Sequence, residues 1–200
     1  KTKYIFLYCL LFICNAVTAQ KVITGAEQMD RLLPILKGKR VALVVNQTSK
    51  VGETHLLDTL LAAHIQIKKV FAPEHGFRGD ADAGETIRNG KDTRTGIPIL
   101  SLYGKNKKPT ATQLQDIDLI VFDIQDVGAR FYTYISTMQY VMEACAENRK
   151  QLVITDRPNP CDYVDGPVRQ KNQKSFVGMH AIPILHGLSL IHISEPTRPE

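Results

Sequence analysis

Short, nearly unbroken runs of aliphatic and β-branched residues recur along this chain, separated by stretches whose apolar residues fall at helical spacing. The runs are "RVALVVNQ" at 40–47, "IKKVFAPE" at 67–74, "IPILSLYG" at 97–104, "DLIVFDIQD" at 118–126 and "QLVITDRPNP" at 151–160. "IPILHG" at 182–187 is a candidate sixth. Helical patterns lie in "THLLDTLLAAH" and in "ISTMQYVMEACAEN", where Ile135, Met138, Val141, Met142 and Cys145 make one apolar face. Strands apolar on both faces, alternating with helices, predict an α/β fold: an open, mostly parallel sheet covered by helices on both sides.

The N-terminal segment is set aside from that fold. Lys1 and Lys3 precede the apolar run "YIFLYCLLFIC", and Val17 and Ala19 make a small-x-small pattern before Gln20. This is the form of a secretory signal peptide over 1–19, too short to span a bilayer comfortably. Export to the periplasm or medium follows, with no stable membrane insertion after cleavage; a retained anchor is the alternative. At the other end, "LSLIHISEPTR" resembles the translation of a common transposase sequencing adapter, so 188–200 is read as a non-native tail. His192 and Glu195 are therefore not assigned chemistry.

The remaining 20–187 is large enough for one core-bearing domain. A formal charge of +5 falls to +3 without Lys1 and Lys3, and no dense basic run with interleaved aromatics suggests nucleic acid. Only Cys145 and Cys161 lie in this part, and their spacing is not that of a zinc site. A two-cysteine exported domain of this size needs no disulfide.

In open α/β sheets, sites form beyond the carboxyl ends of the strands. Asn46 follows the first run, Glu74 and His75 the second, Asp123, Gln125 and Asp126 the fourth, and Asp156, Arg157 and Asn159 the fifth. A parallel sheet brings these to one edge. The turn "NQTSKVG" has neither GxGxxG nor GxxxxGK[ST], which argues against a nucleotide cofactor. No G-x-S-x-G elbow suggests a serine hydrolase. A metal site would have to draw on His75, Asp123, Asp126 and His186, and the two histidines lack ligand spacing. Carboxylate chemistry remains. Pro73 and Gly76 bracket Glu74 and hold it at the edge of an apolar sheet, where it could protonate a leaving oxygen. Capping a helix, or pairing with Arg78, is the structural alternative for Glu74.

The motifs "NQT", "FAPEHGFRGDADAGE", "TGIPILSLYG", "KPT", "DIDLIVFDIQDVGARFYTY", "DRPNP", "GP" and "SFVGMHAIPILHG" resemble, in order and spacing, the NamZ-type exo-β-N-acetylmuramidases over 23–187. The resemblance implies a Rossmann-like domain paired with a smaller C-terminal domain missing from this chain, and no cofactor. It implies a glycosidase that removes N-acetylmuramic acid from the non-reducing end of peptidoglycan fragments, so the expected partners are muramyl saccharides. By motif, Glu74 is its leading catalytic carboxyl, with Asp123 or Asp126 as base or nucleophile unless the substrate's 2-acetamido group assists. Asn46, His75, Arg78, Gln125, Arg130, Tyr132, Tyr134, Asp156, Arg157, Asn159 and His186 become candidate substrate-binding residues. Arg130 and Arg78 are the candidates for the lactyl carboxylate, because a guanidinium bonds a carboxylate bidentately. Cys161-Asp162 depart from the family's Asn-Gly-like turn. A muropeptide-binding domain without turnover and a metal-dependent hydrolase are the alternatives.

The adapter reading has a direct check. Sequencing the genomic locus should give codons after Gly187 that differ from those of the adapter; finding the same codons there would make 188–200 native.

Overall fold

The computed structural model describes residues 22–74, 76–78 and 89–187. The expected signal peptide, His75 and the adapter-like tail lie outside the described residues. In chain order the elements are α1 (Met29–Leu36), β1 (Val41–Val45), β2 (Lys50–Val51), β3 (Thr54–His55), α2 (Leu56–Ala62), β4 (Ile67–Ala72), β5 (Gly90–Lys91), β6 (Pro98–Ser101), α3 (Ala111–Leu114), β7 (Leu119–Asp123), α4 (Tyr134–Glu147), β8 (Gln151–Ile154), β9 (Val164–Asp165) and β10 (Leu185–His186).

The main sheet runs β5-β6-β4-β1-β7-β8. All its pairings are parallel except that of β5 with β6. Omitting β5, the strands stand in the chain order third, second, first, fourth, fifth. This is the doubly wound arrangement, with its switch point between β1 and β7. Every residue of β1 and of β7 is buried, which is why β1 throughout, and β7 up to its last residue Asp123, are apolar without alternation.

The two faces are covered by different helices. Val41, Leu43 and Val45 pack in one core with Leu32 and Leu36 of α1 and Leu56, Leu57 and Leu60 of α2. Ala42 and Val44 point the other way, into a core with Ile135, Met138 and Val141 of α4. A helix as short as α2, seven residues, is marginal by itself. Its three buried leucines, each contributing about 1.5–3 kcal/mol by burial, hold it in place.

The structure corrects two element expectations. "IPILHG" adds no sixth strand to the main sheet: Leu185 and His186 pair antiparallel with Asp165 and Val164 in a separate two-stranded sheet. Pro183 lacks an N–H to donate, and Gly187 turns at φ 59°, so this extended segment is too short for a parallel ladder. The helical pattern beginning at Thr54 starts two residues later, because Thr54 and His55 first close a hairpin on Lys50 and Val51. Cys145 and Cys161 are both free thiols. Among the described residues no helix is long and apolar enough to cross a membrane.

One glycine fixes how the chain leaves β7. Gly128 sits at φ 78°, and a Cβ there would lie 2.4 Å from Asn159 Oδ1 and 2.6 Å from Cys161 Cβ. Left-handed backbone alone costs an L residue about 1–2 kcal/mol. Gly128→Ala should therefore lower unfolding free energy by at least about 2 kcal/mol, read as an earlier urea midpoint.

Candidate active site

The exits of β1 and β7 are joined by side chains. Asn46 is fully buried, and its Oδ1 accepts from Thr48 N at 2.9 Å and Thr48 Oγ1 at 2.6 Å. This is an Asx-type turn that stops the strand. Thr48 Oγ1 in turn accepts from the backbone N of Gln125 at 3.0 Å. The Ser49 hydroxyl accepts from Asn46 N at 3.0 Å and donates to the carbonyl of Asp123. His55 Nδ1 accepts from Leu57 N at 3.2 Å, which leaves the proton on Nε2 to donate to Asn46 O at 3.0 Å. Burial pushes the His55 imidazole pKa down, favouring this neutral form.

Asp123 closes β7 with no exposed surface. Arg157, from beyond β8, donates to it through Nε at 2.7 Å and Nη2 at 2.9 Å, and Thr155 Oγ1 donates at 2.8 Å. The same Nη2 reaches Lys50 O at 2.9 Å. Asp156 is half-buried, and its carbonyl accepts from Gly25 N at 2.8 Å.

Glu74 lies two residues beyond β4, half-buried. Gly76 N bonds back to Pro73 O at 3.1 Å, and Gly76 adopts φ 78°, so the chain turns directly under it. Glu74 Oε2 accepts from Thr133 Oγ1 at 2.9 Å. Tyr103 lies close enough for the Glu74 charge and a hydrogen bond to it to push the phenol's pKa up. Tyr134, beside Asn46, is raised chiefly by burial.

Arg78 does not pair with Glu74. Its guanidinium bonds Asp92 at 2.9 and 3.0 Å and Asp58 at 3.2 Å twice, and lies 4.7 Å from the Phe77 ring centroid. Both partners raise the pKa of Arg78, the hydrogen bond it donates to Asp92 foremost. Asp92 is held at about 2, first by Arg78 and then by Thr95.

Beyond β7, Gln125 Nε2 donates to Asp126 O at 2.8 Å and Pro158 O at 2.7 Å. Asp126 is buried, with Oδ2 3.1 Å from Gly128 N and 3.2 Å from His186 Nε2. Arg130 Nη1 donates to Pro167 O at 3.0 Å and also to Ile182 O. Asn159 Oδ1 accepts from Cys161 N at 2.9 Å. Tyr132 is exposed, 5.6 Å centroid to centroid from the exposed Phe131 and 6.5 Å from the buried Tyr134. Asn46, Glu74, Asp123 and Asp156 thus share the carboxyl edge, while the Arg78 guanidinium is turned to Asp58 and Asp92. Sequence reasoning passed over Thr133, Ser49, His55 and the two partners of Arg78. For Thr133 the available signal was its place immediately before a helix.

A doubly wound α/β domain with carboxylates and hydrogen-bonding side chains at its switch point, and no glycine-rich phosphate loop, is the class these features define. The chain belongs to the family described as "Exo-beta-N-acetylmuramidase NamZ, N-terminal", which matches residues 41–196 and so runs into the adapter-like stretch. It is 45% identical over 178 residues to the peptidoglycan beta-N-acetylmuramidase NamZ of Bacillus subtilis, covering 85% of this chain and 42% of that one. Crystal structures of two DUF1343 family proteins from Bacteroides fragilis superpose with a TM-score of 0.75 each, at 46% and 42% identity. They cover 86% and 85% of this chain, and 45% and 44% of theirs. The chain therefore spans less than half the length of these relatives.

The Arg78 clamp makes stability depend on pH. The folded-state pKa of Asp92 lies below its unfolded value, so its contribution is complete above about pH 4 and is lost as pH falls through about 2. Asp92 is 3% exposed at its side chain, so the shift converts to about 2 kcal/mol. Asp92→Asn should lower the urea midpoint at pH 7, with the difference from the parent shrinking below pH 4 and vanishing only below about pH 2.

Proposed function

We propose that this domain is the acid-bearing part of an exo-acting glycosidase that releases N-acetylmuramic acid from the non-reducing end of peptidoglycan fragments. The observation that carries the reading is the position of Glu74. It is a half-buried carboxyl on the carboxyl edge of the sheet, hydrogen-bonded by the Thr133 hydroxyl and not paired with Arg78. Membership of the family and the name of the Bacillus subtilis relative support the same activity. Peptidoglycan lies outside the cytoplasmic membrane, so the activity calls for an exported protein, in keeping with the charged and apolar start of the chain.

Glycoside cleavage needs a proton on the leaving oxygen and help for an oxocarbenium-like centre. We assign the proton to Glu74. Both oxygens of Asp123 are bonded by Arg157, so we assign Asp123 to holding the edge together. Asp126 keeps an oxygen, Oδ1, with no hydrogen-bond partner. It is the carboxylate left for base or nucleophile if the 2-acetamido group does not assist. Arg78 has its hydrogen bonds taken by Asp58 and Asp92, which leaves Arg130 to meet the lactyl carboxylate. The exposed rings of Phe131 and Tyr132 offer faces for sugar stacking.

Glu74→Gln in the full-length protein keeps size and removes the transferable proton. On a muramyl disaccharide, kcat should fall by about 10²–10⁴-fold. On an aryl muramide with a strongly acidic phenol the loss should be much smaller, because that group leaves without protonation. Normal turnover of the disaccharide would make Glu74 structural. Binding of the disaccharide by the parent without any turnover would make this a muropeptide-binding domain.

A further inference from the structure

The N-terminus of α4 breaks a local rule. The helix has 14 residues, no acidic residue in its first turn, and an N-cap, Thr133, that makes no side-chain capping bond. A threonine in that position ordinarily accepts from an N–H of its own first turn. The carbonyl of Thr133 accepts from Thr137 N at 2.9 Å and Thr137 Oγ1 at 3.1 Å, but its backbone, at φ −81° and ψ −3°, is helical and not extended as an N-cap usually is. The hydroxyl, not used for capping in that conformation, donates to Glu74 Oε2 at 2.9 Å, 59 residues away along the chain. Thr133 is 7% exposed, so water competes little for that bond.

We infer that Thr133 is a positioning residue for Glu74, its hydroxyl fixing the carboxyl and donating to the carboxylate that forms as the proton is delivered. The inference rests on the reading of Glu74 as the proton donor. In that step the Glu74 O–H bond breaks and a bond forms between the proton and the glycosidic oxygen. The bond from that oxygen to the anomeric carbon breaks, and the leaving sugar departs as a neutral alcohol. Positive charge develops at the anomeric centre and negative charge on Glu74. A hydroxyl suits this exchange better than a cation would. It accepts from a protonated carboxyl or donates to an ionised one, whereas an arginine would hold the group ionised throughout. Among the described residues no ion pair to Glu74 occurs, and the nearby Tyr103 is a second hydroxyl. The Thr133 bond strengthens as charge grows on Glu74, so it acts on the transition state more than on bound substrate.

The test uses the full-length protein and two substrates, a muramyl disaccharide and an aryl muramide with a strongly acidic phenol. Thr133→Val should lower kcat on the disaccharide by about 10- to 100-fold, the loss expected for a hydrogen bond to a charged group, with KM changed less than about twofold. The aryl substrate should be nearly unaffected, and Thr133→Ser should restore most of the disaccharide activity. If Thr133→Val does not fold, Thr133→Ala carries the same expectations. Equal losses on both substrates, or no loss on the disaccharide, would overturn the positioning role. Glu74→Gln run alongside separates the two ideas. If that variant is inactive while the Thr133 variants turn over normally, only the positioning role fails. If it is active, the reading of Glu74 fails first.

Discussion

Asp123 and Arg157 form an ion pair with 0% and 8% of their side chains exposed, at the point where the strand order reverses. Removing a carboxylate from water costs several kcal/mol, so such a pair persists only with its hydrogen bonds satisfied. Here Asp123 receives three donors, and Arg157 spends a further contact on Lys50 O. A well-packed apolar pair could be as stable, but it could not aim three loop exits. The pair ties the exit of β8 to the last residue of β7 and to the chain just past β1, while Ser49 adds a second tie from the β1 side. Every residue proposed for chemistry on β1, β7 and β8 hangs from that junction.

β4 contributes to the edge differently. Its exit carries Glu74 and Arg78 within five residues, and opposite charges that close would ordinarily pair. They are separated because Arg78 is drawn to Asp58 at the start of α2 and to Asp92 just past β5. Two carboxylates on one guanidinium leave it little capacity for a third. Phe77, buried edge-on against His55 at 4.7 Å between centroids, keeps the segment in place between them. Among the described residues Glu74 thereby has no cation paired with it, and it is turned to the hydroxyl of Thr133. The same clamp argues against Arg78 as a receptor for an anionic sugar substituent, since its charge is already balanced.

The strands and their polar ends were legible because burial on both faces forces continuous apolar runs, and because a parallel sheet puts all carboxyl ends on one side. Asn46, Glu74, Asp123 and Asp156 could be grouped from that alone. What each side chain does there was not legible. Asp123 and Arg157 stand 34 residues apart, and nothing local distinguishes a carboxylate committed to a guanidinium from one left for chemistry. Arg78 carried the opposite ambiguity: its partners come from α2 and from beyond β5, neither predictable from the motif that contains it. Thr133 was missed because a threonine before a helix has a sufficient local explanation, and only tertiary structure shows the hydroxyl pointing elsewhere. The β2–β3 hairpin, two residues a side, was too short to register against the helical pattern that follows it.

Among the described residues, Asn46 Nδ2, Gln47 Oε1, Asp126 Oδ1 and Asp156 Oδ1 are buried without a hydrogen-bond partner. Each such atom costs about 1–3 kcal/mol, and all four lie just past the carboxyl ends of β1, β7 or β8. The apolar cores on both faces have ample burial to offset this, so the cost is sustained at the edge and not distributed through the fold. In this arrangement these atoms have almost no accessible surface, so Asp126 Oδ1 could reach a saccharide only if its loop moved, and the use of the other three is indirect. An Asn46 amide bonded through Oδ1 to Thr48, or an Asp126 carboxylate bonded through Oδ2 to Gly128 N, is fixed by one atom while the other is left over. Replacing either by an apolar side chain would remove the unpaired atom together with the bond that shapes the loop. The edge keeps the cost because the same side chains that leave an atom unsatisfied also fix where the loops go, and the loops fix where Glu74, Asp126 and Arg130 face.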